Sequence, residues 1–398
     1  MKSLVLFEFK KIWKKKITKI LAFGILILCI FSNFMLVNNE SYEDASGATT
    51  EGITAARNEM EAAKQLEGPL TDERISQLLS EFKQKYKKGG DAFYNYYFSQ
   101  SSFWTFMMRA YAPINSYGSE VELFKLSADQ QNHFYDYRRK KINKILDVGG
   151  YSKEEKAYWK DKNAKVEAPF YYRHLGGAKA FTDWDCPFLV IAILVICICI
   201  LPSFSEEYQT GADSILLTSK YGKNKLMTAK VIAAYLFGTV LYGATVLVNL
   251  LFCVGVYGTS GGDAPIQFRY SEIPYAFTAR EVMWLWILMG MVVLFGMIAV
   301  NLFLSAHFKN TIPILIIDLI IVFLPLPASL SVSKWIAATI NIFPVHIMNS
   351  DDILRGFFSF QFGGTVIDVI EMVFLIYLVA MVIFIPFARR GFRNHQVQ

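Results

Sequence analysis

The chain has 398 residues, of which 54% are hydrophobic, 15% aromatic and only 19% charged, and its formal net charge is +6. That balance carries more apolar surface than a single soluble core of ordinary composition can hide, so the chain reads as an integral membrane protein. The basic excess sits at the two ends, which makes it a topological signal and argues against a nucleic-acid partner.

Residues 1–17 form the first predicted element, an amphipathic interfacial helix on the cytoplasmic side. Val5, Leu6, Phe9, Ile12, Trp13, Ile17 and Ile20 recur at helical spacing, and Lys10, Lys11, Lys14 and Lys15 fill the other side. Phe9, Trp13, Lys14 and Lys15 are the residues expected to meet membrane lipids there. Six apolar runs lie near the roughly 20 residues that cross a bilayer. They cover 18–37, 186–204, 226–256, 282–307, 311–330 and 365–387. The first has no small-residue cleavage site and is read as a span, not a removable signal.

Seven lysines against Glu8 occupy residues 1–19, and the tail 388–398 carries three arginines and no acid. Both ends are therefore expected in the cytoplasm, which an even number of spans satisfies. All five cysteines lie in or beside apolar runs, where a small packing residue is the ordinary reading.

Between the first two spans, 38–184 turns polar and tyrosine-rich and contains no run of spanning length, as expected of a folded extracytoplasmic domain. Helix caps make it mainly helical. Thr71 precedes Asp72 and Glu73; Ser127 with Gln130 and Ser152 with Glu155 spell capping boxes, and Gly149 offers a left-handed stop. The aromatic run 93–104 supplies either core packing or a ligand surface. Before the last span, 331–364 holds two apolar pieces broken by Pro344 and by 349–352, which suit re-entrant or interfacial helices.

No nucleotide-binding GxxxxGK motif, H-E-x-x-H or G-x-S-x-G occurs, and the five histidines are scattered. No catalytic residue, metal ligand or bound cofactor is expected of this chain. Within the apolar runs, Asp318 is the ionisable residue nearest mid-span, and Asn249 and Asn301 are interhelical hydrogen-bond candidates. These three are the candidate substrate-path residues.

The loop 205–225 is the richest stretch. Thr210 and Asp213 fit a capping box that opens a short helix over 211–220, with Gly222 as its stop, and Ser205 can cap a turn beginning Glu206-Glu207. Acids at this exit are compatible with the cytoplasm, because the positive-inside preference counts lysine and arginine.

At these residues the sequence resembles the permease subunits of the ABC transporter type-2 exporter family. The shared pattern is an acid after the second span (Glu206 or Glu207), a Gly-Thr-like turn written here as Thr210-Gly211, a leucine-rich segment at 214–219, a basic loop at 221–225 and Lys230 opening the third span. The order Thr-Gly departs from the family, and the proline and arginine often found before the basic loop are missing.

The resemblance implies an all-α polytopic membrane protein with six spans, cytoplasmic termini and a bacterial plasma-membrane location. It also implies a coupling helix through which Glu206, Glu207, Thr210, Gly211, Asp213, Ile215, Leu216 and Lys220 meet a separate ATP-binding cassette subunit. That subunit would hold ATP and Mg, and a second permease copy or homologous permease would complete the exporter. An amphipathic or hydrophobic substrate, with an antimicrobial or lantibiotic-like peptide as the leading expectation, follows from the same analogy. A membrane sensor or resistance permease with a ligand-binding external domain, and a membrane-embedded enzyme, are the alternative classes.

Overall fold

The structure is a computed structural model that describes residues 1–114, 116, 118–212, 214–215, 222–323, 333–347 and 349–393. Among these, five helices are long and apolar enough to cross a membrane: Lys16–Asn38, Pro187–Thr210, Asn224–Tyr257, Ala279–His307 and Val369–Arg393. They are the first to fifth long helices below. The shorter apolar helix Thr311–Phe323 follows the fourth. The fold is all-α in class, and the described strands pair only two by two.

The second long helix does not end at Phe204, where its apolar run does. It continues through Thr210, so Glu206 and Glu207 belong to the last turns of that helix and not to the first turn of a new one. Ser205 accordingly serves as no cap: its hydroxyl donates back to the Leu201 carbonyl (3.1 Å).

The long helices pack through small residues. A Cβ on Gly296 in the fourth would lie 2.6 Å from Cδ1 and 3.1 Å from the carbonyl oxygen of Tyr377 in the fifth, so only glycine allows their present approach. A Cβ on Gly238 in the third would lie 2.7 Å from Ile298 in the fourth.

Both ends of the described chain sit at one end of the bundle, termed here the near end. The N-terminal helix Lys2–Lys14 lies against the third long helix, with the Trp13 ring 5.4 Å edge-on to Phe237. Phe392 of the fifth packs on Phe204 at 4.9 Å, and Arg389 donates to Thr228 (2.6 Å).

At the far end stands the largely helical body between the first two long helices. Thr71, Ser127 and Ser152 cap the helices Asp72–Lys88, Ala128–Asn132 and Lys153–Ala164, the last two by full capping boxes. The left-handed position after Phe134–Val148 is Gly150 (φ 67°) rather than Gly149, whose N–H still donates to Ile145. Phe93, Phe103 and Trp104 of the aromatic run are buried in a core with Phe82 and Phe106, although Tyr94 and Phe98 stay exposed.

This body is fastened to the bundle. Arg138 donates to the carbonyls of Ser271 and Ile273 in the connection between the third and fourth long helices. Lys162 pairs with Asp368, Lys334 pairs with Glu155, and the Trp159 indole donates to Ser359 (3.4 Å).

Ahead of the fifth long helix come short helices at Lys334–Ile340, Pro344–Ile347 and Ser350–Arg355. An antiparallel hairpin follows, Ser359–Phe362 with Thr365–Asp368, in place of the helix expected there. Gly363 (φ 59°) and Gly364 form its two-residue turn. The fifth long helix therefore starts at Val369 and not at 365, with Asp368 and Glu371 accepting each other's backbone N–H groups at 2.8 and 3.2 Å.

Candidate functional site

The N-terminal helix presents an acid within its apolar stripe, and this organises the near end. Glu8 lies three residues after Val5 and four before Ile12, which places it on the face that packs inward, and it is buried. A buried carboxylate requires compensation. Lys230, on the first turns of the third long helix, provides it: its ammonium donates to Glu8 Oε2 (3.1 Å), to Glu207 Oε1 (2.6 Å) and to the Ser203 carbonyl (2.8 Å). All three of its protons are thereby used. The Phe204 ring lies 5.4 Å from the same ammonium.

Two further lysines of the N-terminal region complete the cluster. Lys11 donates to Glu207 Oε1 (3.0 Å), and Lys15 pairs with Glu206 Oε2 (2.5 Å). Burial works against the Lys11 ammonium, but Glu207, Glu8 and Glu206 outweigh it and hold Lys11 above the usual lysine value. Three acids thus face three lysines drawn from the N-terminal helix and its following turn, the second long helix and the third. Glu207 Oε2 is buried without a hydrogen bond among the described residues, so this carboxylate is tied through one oxygen.

Of the residues proposed to couple to a partner, Glu206 and Glu207 are brought together, but both turn toward the N-terminal region. Glu207 is 2% exposed and cannot be touched from outside the fold; Glu206 remains partly accessible beside Lys15. Thr210 ends the preceding helix, and Ala212, Ser214 and Ile215 beyond it are helical again. The Thr210 hydroxyl donates to the Glu206 carbonyl (2.8 Å) within the last turn, and Gly211 (φ 68°) closes that turn in the left-handed conformation. Ile215 is 75% exposed just beyond. Asp213, Leu216 and Lys220 lie outside the described residues.

Phe9 and Trp13 pack onto the bundle, whereas Lys14 points to the exterior. Leu6, Ile17 and Ile20, expected on the apolar face, are exposed outward.

Asp318 and Asn301 meet within the bundle. Asn301 Nδ2 donates to Asp318 Oδ1 (2.9 Å) and to the Met297 carbonyl (3.0 Å), and both residues are buried. Asn249 stands apart from them, accepting from Asn33 Nδ2 at 3.0 Å between the first and third long helices. The three do not form one polar path.

Sequence reasoning left Glu8 and Lys11 out of the site. The signal for Glu8 was present, a charge inside an apolar helical stripe; Lys11 carried none that sets it apart from its neighbouring lysines. Comparison with protein-family models, curated proteins and solved structures finds no match for this chain.

Proposed function

We propose that this chain is the permease subunit of an ATP-binding cassette exporter of the type-2 kind. A separate subunit would bind ATP and Mg and dock on the near end of the bundle. The observation that carries the reading is mechanical: the N-terminal helix and the ends of the second and third long helices are joined by a neutral, largely buried cluster, and in the segment just beyond it Ile215 is exposed. A push on that segment moves three helices together. Glu207 and Lys230 act inside the lever; Thr210, Gly211 and Ile215, with Asp213, Leu216 and Lys220 by resemblance, form the surface that meets the ATPase.

A sixth crossing, both termini in the cytoplasm and the body at 38–184 outside belong to the same proposal. Both described chain ends share the near end, which suits an even number of crossings. Thr311–Phe323 supports the sixth: it starts a few residues after His307, which lies beside Gly391 at the near end, and Phe323 lines a cavity with Asp183 and Asn349 at the far end. Its 13 residues rise about 20 Å, short of a full crossing without the residues that follow. The bacterial plasma membrane, a second permease copy and a peptide-like amphipathic substrate follow from the family resemblance.

The test is ATPase activity of the purified complex of this chain with its cassette subunit. Ile215→Asp should abolish complex formation while the permease keeps its melting temperature. An unchanged complex with unchanged stimulated turnover would remove this segment from the coupling role.

A further inference from the structure

A second cluster of charge lies at the far end, in a cleft of about 380 Å³ between the body there and the segment that leads into the fifth long helix. Arg109 and Lys141 reach it from the body, Tyr270 and Glu272 from the connection between the third and fourth long helices, and Arg355 with Phe357 from the last segment. The Tyr270 ring carries both guanidinium groups, Arg109 at 4.9 Å and Arg355 at 4.6 Å.

The internal charge is unbalanced. Glu272 pairs with Lys141 at 3.5 Å and Asp352 with Arg355 at 3.1 Å, but among the described residues Arg109 has no carboxylate partner and donates only weakly to the Arg269 carbonyl (3.4 Å). Arg138, a helical turn from Lys141, adds another buried cation whose two hydrogen bonds go to carbonyls. Burial drags Arg138 down to about 10 and pulls Lys141 below the usual lysine value even with Glu272 beside them. Among the residues lining the cleft, the three cations Arg109, Lys141 and Arg355 face the single carboxylate Glu272. Asp352 and Asp351 act on Arg355 from outside it, so Arg109 is left without a balancing charge where desolvation makes that costly.

Backbone strain marks the same wall. Phe357 is buried and adopts φ 51°, a conformation that bulky side chains avoid and that persists where surrounding structure holds it.

We infer that this cleft binds a phosphate-type oxyanion, held by Arg109 and Arg355 against Tyr270. Guanidinium forks match phosphate oxygens bidentately, and Arg109, which is uncompensated, and Arg355, on the same tyrosine ring, supply two such forks. The anion draws on residues of all three walls, so its binding fastens that body to the segment feeding the fifth long helix. The inference is independent of the coupling proposal.

Phosphate chemistry has two sources here, a soluble phosphate ester or a lipid headgroup, and the experiment separates them. Full-length protein in detergent is titrated with glycerol phosphate, with acetate as the carboxylate control; in parallel, protein in nanodiscs containing phosphatidic acid or phosphatidylcholine alone is assayed for retained lipid by native mass spectrometry. Saturable binding of glycerol phosphate, or selective retention of phosphatidic acid, is expected, and each names its source. Arg109→Gln with Arg355→Gln should weaken it by about tenfold or more, and Arg139→Gln, on an exposed face, should leave it unchanged. If the double variant fails to fold, Ser116→Asp places an opposing charge at the cleft surface without removing packing and should weaken binding in the same direction. Acetate binding as tight as phosphate, or no binding of either phosphate form by wild type, overturns the inference, as does undiminished binding in the folded variants.

Discussion

The ammonium of Lys230 and the carboxylate of Glu207 meet at 2.6 Å with both side chains buried, joining the start of the third long helix to the end of the second. Glu8 from the N-terminal helix shares the same ammonium at 3.1 Å. Removing one member of such a group leaves its partners charged and desolvated, which costs about 3–5 kcal/mol, whereas removing all of them together costs far less. Lys230→Met should therefore lower the melting temperature in detergent sharply. The triple variant Glu8→Gln, Lys230→Met, Glu207→Gln should recover most of the loss, because the one charge it leaves unpaired, Lys11, is a third exposed and can turn to solvent. Additive losses in the triple variant would show that these groups do not interact.

The pair Lys15–Glu206 lies nearer the surface, its side chains 22% and 39% exposed. Solvent screens it, so Glu206→Ala should change stability by no more than about 1 kcal/mol. Chemical denaturation of wild type and variant reads this directly. A large loss would mean that Glu206 carries weight in the fold comparable to Glu207.

Gly296 faces Tyr377 so closely that any Cβ must displace ring and backbone alike. Gly296→Val should separate the fourth and fifth long helices and cost about 1–3 kcal/mol, as overpacked cores do. Gly243, whose Cβ would meet nothing within 4 Å, serves as the control, and Gly243→Val should be tolerated. Melting curves of the two variants settle the comparison.

Much of this organisation was legible because it is local. Apolar runs, helix caps and the stripe of the N-terminal helix are set by residues a few positions apart, and Ser127, Ser152 and Thr71 cap helices as their spacing implies. The helix expected over 211–220 is seen in Ala212, Ser214 and Ile215, which are helical, but Pro202 and the residues after it keep the preceding helix running to Thr210, so Gly211 is the turn between the two. Gly363-Gly364 was a hairpin signal that helical expectations for 331–364 passed over. The ion pairs of Glu206 and Glu207 to Lys15 and Lys11 join residues 191 and 196 positions apart, and helical spacing carries no information at that range.

The body at the far end is held to the bundle partly by Glu155, which is buried and pairs with Lys334 and Ser359. Burial alone would raise its pKa, but the Lys334 ammonium and the hydrogen bonds from the Ser152 backbone and Ser359 outweigh it and hold Glu155 below the ordinary glutamate value. The sign follows: a depressed carboxylate contributes stability above its unfolded pKa of about 4.3 and loses it as pH falls through the folded value. Hydrogen exchange in Lys153–Ala164 should therefore quicken on acidification below about pH 4, and Glu155→Gln should show faster exchange already at neutral pH with a flatter pH profile. Identical profiles for the two proteins would remove Glu155 from this attachment.

The central claim is that force from a separate ATPase enters through the segment beyond Gly211 and is carried by the Glu207–Lys230 junction. Its most direct measurement is substrate-stimulated ATPase activity of the reconstituted complex, comparing wild type with the triple variant that neutralises Glu8, Glu207 and Lys230 together. The account predicts that the triple variant assembles with the ATPase, because the outer surface is untouched, yet loses stimulation. Full stimulation in an assembled triple-variant complex would contradict it.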